Sequence, residues 1–124
     1  MPVKPLSAKS LHSLCERIDY ARHGEIHSLV PLSPTSIEIR FSVQDKARGF
    51  DWIDVLFVID GVNDARLVSD NALKLISLEE GITIEIDNTK AALAIGDYRG
   101  RTEDAPLYIH GATIGYMECE FGEN

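Results

Sequence analysis

The chain has 124 residues, of which 44% are hydrophobic and 26% are charged, as in an ordinary soluble globular domain. Its 20 acidic side chains outnumber 12 basic ones, so the formal charge is −8. This balance argues against a protein that binds nucleic acid, because phosphates are bound by a surplus of cationic side chains. It argues equally against electrostatic docking on an anionic membrane. No repeat or long linker divides the chain, so residues 1–124 are predicted to form a single domain.

A helical pattern occurs near the N-terminus. Its apolar positions follow the i, i+3, i+4, i+7 spacing of one helix face: Leu11, Leu14, Cys15 and Ile18. Ser7 or Ser10 is placed to cap the first turn, and Gly24 is placed to end the helix. The pattern therefore predicts an amphipathic helix over residues 7–22 with one face to bury.

Beyond the helix the apolar period changes to two, which is typical of half-buried strands. The predicted strands cover residues 25–30, 37–43, 52–59 and 82–86, followed by shorter ones around Leu93, at 107–109 and at 117–121. Residues 52–59 are apolar on both faces, so we expect this strand to be central, with the helix covering its second face. Gly111 and Gly115 are expected to mark a bend or a bulge.

Two connections carry specific expectations. Glu79-Glu80-Gly81 is interpreted as the turn that joins residues 72–77 to the strand at 82–86. After the central strand, either Asp60-Gly61 forms a tight hairpin turn or the strand continues to Val62 and turns at Asn63-Asp64. Short strands joined by turns favour antiparallel pairing. We therefore expect an α+β domain: a curved antiparallel β-meander of six to eight strands with one N-terminal helix packed on it.

The cysteines indicate a cytoplasmic protein. Cys15 and Cys119 form no C-x-x-C pair, and a secreted chain of this size more often has a denser cysteine framework. We interpret them as reduced thiols and keep a disulfide between the first element and the last strand as the alternative. Residues 1–20 contain no uninterrupted apolar region of a signal peptide, and no apolar run approaches the length of a membrane span.

No motif assigns a reaction. His23 and His27 are four residues apart, but the expected helix end lies between them and a third ligand is missing, so we assign no metal. Four carboxylates, Asp51, Asp54, Asp60 and Asp64, are interpreted as solvated turn acids. Asp54 and Asp60 would lie about 20 Å apart on one strand face, too far for paired-carboxylate chemistry. We predict no catalytic residue and no cofactor.

The second half of the chain carries most of the negative charge. Residues 1–62 hold seven basic and eight acidic side chains, whereas residues 63–124 hold five basic and twelve acidic ones. In this half the Gly96–Arg101 segment is interpreted as a hairpin loop that combines tyrosine and arginine, the types enriched at interface hot spots. The predicted partner-binding residues are Glu79, Glu80, Asp97, Tyr98, Arg99, Arg101, Glu103 and Asp104. Further acids were expected to extend this surface: Glu85, Asp87, Glu118, Glu120 and Glu123.

The order of four segments resembles that of a known family. They are HGEIHSL from residue 23, IEIRFSV from residue 37, VLFVIDGVNDARL from residue 55 and NALKLISLEEGITIEIDN from residue 71. Across residues 23–95 they are similar to small immunity proteins of bacterial polymorphic and contact-dependent growth inhibition systems, with their H-D-[AS]-x-[IV], F-x-G-V-x-D-x-x-L and N-x-L motifs. The resemblance implies a non-enzymatic protein that binds and neutralises a cognate toxin domain, often a nuclease. It assigns no binding residue.

Two other functions remain open at this point. One is a small enzyme or ligand-binding domain that uses His23, His27 or His110 with carboxylates in a cleft of the sheet. The other is a structural protein that forms homo-oligomers through its sheet edges. The leading hypothesis is a cytoplasmic immunity protein whose acidic surface meets a basic toxin domain, because opposite charges steer two proteins together.

Overall fold

The core of the protein lies between two antiparallel sheets. The structure, a computed structural model, describes residues 3–122. The first sheet contains, in spatial order, β1 (Lys4–Pro5), β9 (Thr113–Glu120), β4 (Asp51–Asp60), β3 (Ser36–Asp45) and β2 (Glu25–Ser33). The second sheet contains β5 (Asp64–Arg66), β8 (Tyr108–Gly111), β7 (Ala91–Ile95) and β6 (Ile82–Ile86). The expected α+β class with antiparallel pairing is confirmed, with nine strands in place of the six to eight predicted.

β4 is the central strand of the first sheet, as its apolar pattern predicts. It pairs with β3 on one side and with β9 on the other, so that Phe57 lies between Ile39 and Tyr116. The odd-numbered residues of β3 and β4 face the second sheet and form one core cluster with residues such as Leu93 and Ile109. Phe41 and Phe57 contact edge to face, with ring centroids 5.9 Å apart.

The N-terminal helix is shorter than predicted. α1 covers Ala8–Arg17, and Ser7 and Ser10 form the capping box at its start. A 3-10 turn, Asp19–Ala21, follows, in which all three residues have positive φ. The prediction of a helix to residue 22 is therefore wrong, because left-handed backbone interrupts the i→i−4 hydrogen bonds of an α-helix.

The helix also covers a different face from the one predicted. Leu14 and Ile18 join the same core cluster as Ile53 and Val55, so α1 packs on the face of β4 that already looks toward the second sheet. The second face of β4, which carries Leu56, is not covered by α1. The expectation that the helix covers the second face of the central strand is wrong, because its single apolar stripe is buried beside the second sheet.

One of the two connections is as predicted. The Glu79-Glu80-Gly81 turn precedes β6, and the Gly81 amide donates to the Leu78 carbonyl at 2.9 Å. Before this turn, α2 (Asp70–Leu73) is a single helical turn capped by the Ser69 hydroxyl, and it places Leu73 in the core. β4 ends at Asp60, but neither proposed hairpin forms, because β5 pairs with β8 in the other sheet. The expected bend at Gly111 is found between β8 and β9 where the chain changes sheet, whereas Gly115 pairs regularly with Val58.

A buried ion pair lies on the outer face of the first sheet. Arg40 Nε donates to Asp54 Oδ2 at 2.8 Å, and Ser42 Oγ donates to Asp54 Oδ1 at 2.7 Å. The Asp54 side chain is fully buried and that of Arg40 is 11% exposed. The interpretation of Asp54 as a solvated turn acid is therefore wrong, since it lies inside β4 beside residues of β3. Asp51, Asp60 and Asp64 are exposed.

No helix among residues 3–122 is long and apolar enough to cross a membrane.

Candidate functional site

The loop from Gly96 to Ala105 folds back over the outer face of the second sheet. The Thr83 hydroxyl of β6 donates to the Gly96 carbonyl at 2.7 Å and accepts from the Tyr98 amide at 3.0 Å. The Gly100 amide donates to Glu85 Oε2 at 3.0 Å. Under the loop, Ala94, Ala105 and Tyr108 form a small buried cluster, against which Tyr98 packs. The predicted loop is thus held at defined points rather than projecting into solvent.

Gly96 makes the return of this loop possible. Its φ is +106°, and a Cβ atom there would lie 2.7 Å from Cε2 of the Tyr98 ring. A side chain at this position would therefore displace the tyrosine and would also strain the backbone. The glycine allows the Tyr98 ring to lie directly against the end of β7.

The loop and the turn before β6 together form a concave surface. The β6–β7 register continues past the strands, because the Gly96 amide donates to the Gly81 carbonyl at 2.8 Å. This pairing brings the Glu79-Glu80 turn to the Asp97-Tyr98 segment. The cleft between them has a volume of about 700 Å³ and is called the acidic cleft below. It is lined by Glu79, Glu80, Asp97, Tyr98 and Arg101 together with Leu75, Ile76, Ser77, Ile95, Gly96 and Pro106.

Five of the eight predicted binding residues therefore share one surface. Arg99 lines a separate cleft beside β6, and Glu103 and Asp104 lie on the exposed 3-10 turn Thr102–Asp104. In the sequence these residues are related by their charge, and their proximity depends on the pairing of two strands. A signal for their proximity was present in the register of a β6–β7 hairpin, which places residue 80 opposite residue 97. Leu75, which is 85% exposed at the cleft, was missed.

The arginines of the loop neutralise part of its negative charge. Arg99 donates to both carboxylate oxygens of Asp97, at 3.0 and 3.2 Å, and this contact lowers the pKa of Asp97. Arg101 lies 3.8 Å from Asp104 and stacks over the Tyr98 ring at 4.7 Å from its centroid. Among residues 3–122, no basic side chain forms an ion pair with Glu79, Glu80 or Glu103. These three carboxylates are the free negative charges of the region.

The wider acidic surface is only partly formed. Glu85 and Asp87 belong to the β6 hairpin, but Glu118 lies on β9 in the first sheet and forms an ion pair with Arg17 at 2.6 Å. Glu120 is on the same strand, opposite Ile53. Glu123 lies outside the described residues.

Arg17 also holds the fully buried Asp45. Its Nη2 donates to Asp45 Oδ2 at 2.6 Å, and the Ala47 amide donates to Asp45 Oδ1 at 2.9 Å. The Arg17 guanidinium is the main cause that lowers the pKa of Asp45 below its ordinary value of 3.8. A carboxyl whose pKa is lower in the folded protein stabilises the fold at pH values above its unfolded pKa of about 3.9, and this contribution is lost as the pH falls through the folded pKa.

We expect the substitution Asp45→Asn to lower the free energy of unfolding by about 1–2 kcal/mol at pH 7, because a charge-assisted hydrogen bond to Arg17 is lost. The loss stays moderate because the Arg17 side chain is about one-third exposed and keeps its ion pair with Glu118. Below pH 3 the difference from the wild type should shrink, since protonation removes the same interaction from the native protein. Urea unfolding of both proteins between pH 2 and pH 7 measures this difference in the free energy of unfolding. A difference that is constant over this range would contradict the assignment.

His110 lies in a second polar cleft of about 410 Å³, called the His110 cleft, on the far side of the loop. A hydrogen bond of 2.7 Å joins its Nε2 to Thr102 Oγ1, and its Nδ1 lies 4.0 Å from Asp64 Oδ2. His23 lies in the turn before β2, and His27 lies within β2. Among residues 3–122, no group of three or more histidine, cysteine, aspartate or glutamate side chains could hold a metal ion.

Both cysteines are free. Cys15 is buried in α1, and burial raises the pKa of its thiol to about 11. Cys119 is half-buried on β9, opposite Asp54. A thiol with a raised pKa is a weak nucleophile at neutral pH, so Cys15 acts as a packing residue.

Comparisons with known proteins add no assignment, since no family model, no curated protein and no solved structure matches this chain. The resemblance of residues 23–95 to small immunity proteins stays a prediction. The geometry of the acidic cleft and of the His110 cleft is therefore the basis for the function proposed below.

Proposed function

We propose that this protein is a non-enzymatic immunity protein of the cytoplasm, which binds and neutralises a cognate basic toxin domain such as a nuclease. The observation that carries the proposal is the acidic cleft, where two segments about 20 residues apart in sequence meet. Glu79 and Glu80 face this cleft and form no ion pair within residues 3–122, and Tyr98 and Leu75 offer apolar contact area beside them. Carboxylates around an apolar centre are the arrangement that a basic protein surface complements.

Electrostatic attraction favours a basic partner over other proteins. A nuclease must be basic where it meets phosphate, so an acidic inhibitor is steered to that surface and can cover it. The formal charge of −8, mostly in the second half of the chain, adds long-range attraction to the local contacts. An interface of standard size buries roughly 1,600 Å² in total, so it would extend beyond the cleft to Glu103 and Asp104 on the neighbouring turn.

Tyr98 is suited to be an anchor of this interface. Arg101 stacks on its ring, its backbone amide is held by Thr83, and its side chain packs against the cluster under the loop. A side chain that is already ordered loses little conformational entropy when a partner binds. Tyrosine and arginine are also the residue types that most often dominate binding energy at interfaces.

The proposal is tested with the toxin domain encoded by the adjacent reading frame. We expect the two purified proteins to co-elute in size-exclusion chromatography at low and at moderate salt, and we expect the association rate to fall as salt rises. Expression of this protein should protect cells that produce the toxin domain. Absence of both co-elution and protection would overturn the proposal.

A second candidate function is favoured by the His110 cleft. A histidine held by Thr102, near Asp64 and at the edge of a 410 Å³ cleft, fits a small enzyme or ligand-binding domain. The substitution His110→Asn distinguishes the two functions. Protection of cells by the wild type, and equally by a folded His110→Asn protein, supports the immunity function. A wild-type protein that gives no protection favours the second candidate.

A further inference from the structure

β6 is an edge strand whose outer hydrogen-bonding groups are free. In the β6–β7 pair, Gly81 accepts from Gly96 at one end and the Asp87 amide donates to Lys90 at the other, at 2.8 and 2.9 Å. Because hydrogen-bonded residues alternate along an antiparallel strand, Thr83 and Glu85 bond to β7. The peptide groups of Ile82, Ile84 and Ile86 therefore point away from the sheet. Within residues 3–122, no group forms a hydrogen bond to them.

The other sheet edges are protected against pairing, and β6 is not. β2 contains Pro31 and two register shifts, β1 is two residues long and ends in proline, and β5 has three residues. Proline, irregular pairing and short length are the devices by which proteins block strand addition. The β6 sequence Ile-Thr-Ile-Glu-Ile has none of them, and its residues favour the extended conformation.

A groove of about 390 Å³ runs along this edge, between β6 and α1. Leu11 and Cys15 of α1 and Ile84 of β6 line its inner side. On the outer side, Glu80 and Asp97 line the groove together with Arg22 and Arg99. Glu85 and Asp87 lie beside the groove, on the face of β6 opposite to Ile84. The groove is thus apolar toward the core and carries charges of both signs toward solvent, while the adjoining outer face of β6 carries the acids Glu85 and Asp87.

One end of the groove is closed by the turn after α1. A Cβ atom at Gly81, where φ is +74°, would lie 2.5 Å from the Tyr20 carbonyl oxygen. Glycine therefore lets this turn pack tightly on the start of β6. The free edge begins at Ile82, and α1 lies across the groove from it.

We propose that the partner inserts an extended segment into this groove as an additional strand paired with β6. Alternate side chains of a strand point to opposite faces, so the segment would place apolar residues toward Leu11 and Cys15 and basic residues toward Glu85 and Asp87. Main-chain hydrogen bonds to Ile82, Ile84 and Ile86 provide affinity, and the alternating side chains provide specificity. The inference rests on the proposed function and adds a second contact for the toxin domain, beside the acidic cleft, with which the groove shares Glu80 and Asp97.

Amide hydrogen exchange tests the inference without any substitution. In the free protein, we expect the amides of Ile82, Ile84 and Ile86 to exchange much faster than those of Thr83 and Glu85. Addition of the toxin domain should slow exchange at the three isoleucines. Protection of these amides in the free protein, by the chain itself or in a dimer, would overturn the inference, as would a complex in which they stay unprotected.

A proline substitution tests the hydrogen bonds themselves. Ile84→Pro removes an amide that donates to no group within the described chain, so the β6–β7 pairing keeps its hydrogen bonds. We expect a folded Ile84→Pro protein to bind the toxin domain about tenfold more weakly or worse, with Ile84→Val, which keeps the amide, as the matched control. Equal affinities of the two folded variants would overturn the inference, and if the proline variant does not fold, the exchange experiment decides.

Two synthetic peptides separate this inference from the proposed function. One alternates valine and lysine, and the other alternates valine and glutamate at the same length. Slower exchange at the three isoleucine amides with the lysine peptide but not with the glutamate peptide would support the groove even if the toxin domain failed to bind. If the toxin domain binds while neither peptide protects these amides, the proposed function stands and the groove inference fails.

Discussion

Replacement of Arg40 with alanine is expected to lower the free energy of unfolding by about 3–5 kcal/mol, because it removes the cation that faces a fully buried carboxylate. In the variant, Asp54 would keep the Ser42 hydroxyl and the Gly122 amide as hydrogen-bond donors. Among residues 3–122, no cation other than Arg40 forms an ion pair with Asp54. Two neutral donors do not compensate the cost of a buried negative charge. Urea unfolding at neutral pH measures the loss.

Two further variants show whether the charge or the packing is responsible. Arg40→Lys keeps a cation near Asp54 and should lose less stability than Arg40→Ala, although it cannot reproduce the planar guanidinium contact. The double variant Arg40→Leu/Asp54→Leu removes both charges and should be more stable than Arg40→Ala alone. A loss below about 1 kcal/mol for Arg40→Ala, as for an exposed ion pair, would contradict the assignment.

Reversal of charge in the acidic cleft is expected to have the largest effect on binding. The double variant Glu79→Lys/Glu80→Lys should slow association with the toxin domain about 10–100-fold at low salt, because it replaces attraction by repulsion at the centre of the surface. Both side chains are exposed and form no ion pair within the described residues, so the fold should be unaffected. Stopped-flow or surface-based kinetics at several salt concentrations measure the rate.

A matched control separates local from overall charge. Glu16→Lys/Glu25→Lys changes the net charge by the same amount at exposed positions on α1 and β2, away from the acidic cleft. We expect this control to slow association much less than the cleft variant. If both variants slow it equally, net charge drives the encounter and the cleft is not the binding surface.

The strands of the first sheet could be predicted because their information is local. In β3 the apolar residues alternate without interruption, β4 is apolar on both faces, and burial of one face permits a single register. Proximity in sequence also made their antiparallel pairing predictable. The early end of α1 could not be predicted in the same way, because Asp19, Tyr20 and Ala21 adopt positive φ without any glycine among them. Such backbone is unfavourable locally and is imposed by the packing around it.

The residue types of the acidic cleft could be predicted from the sequence, but their arrangement around one concavity could not. Glu79, Glu80 and the Asp97–Arg101 segment were grouped as charged and aromatic loop residues, and the structure places most of them around one concavity. Thr83 holds the Gly96–Ala105 loop, and Leu75 is exposed at the cleft. Both roles arise because this loop folds back over β6. No property of Thr83 or Leu75 in the linear sequence indicates that the loop folds back in this way.

Four properties could be predicted from the sequence: the α+β class, the central position of β4, the negative charge of the second half and the residue types of the loop. These properties follow from the period of apolar residues and from composition, which act over a few neighbouring positions. Only the tertiary structure decided that α1 shares one face of β4 with the second sheet, that Asp54 is buried beside Arg40 and that the β6 edge stays free. Each of these depends on contacts between segments far apart in the chain, and burial and pairing of such segments are settled only when the two sheets pack together.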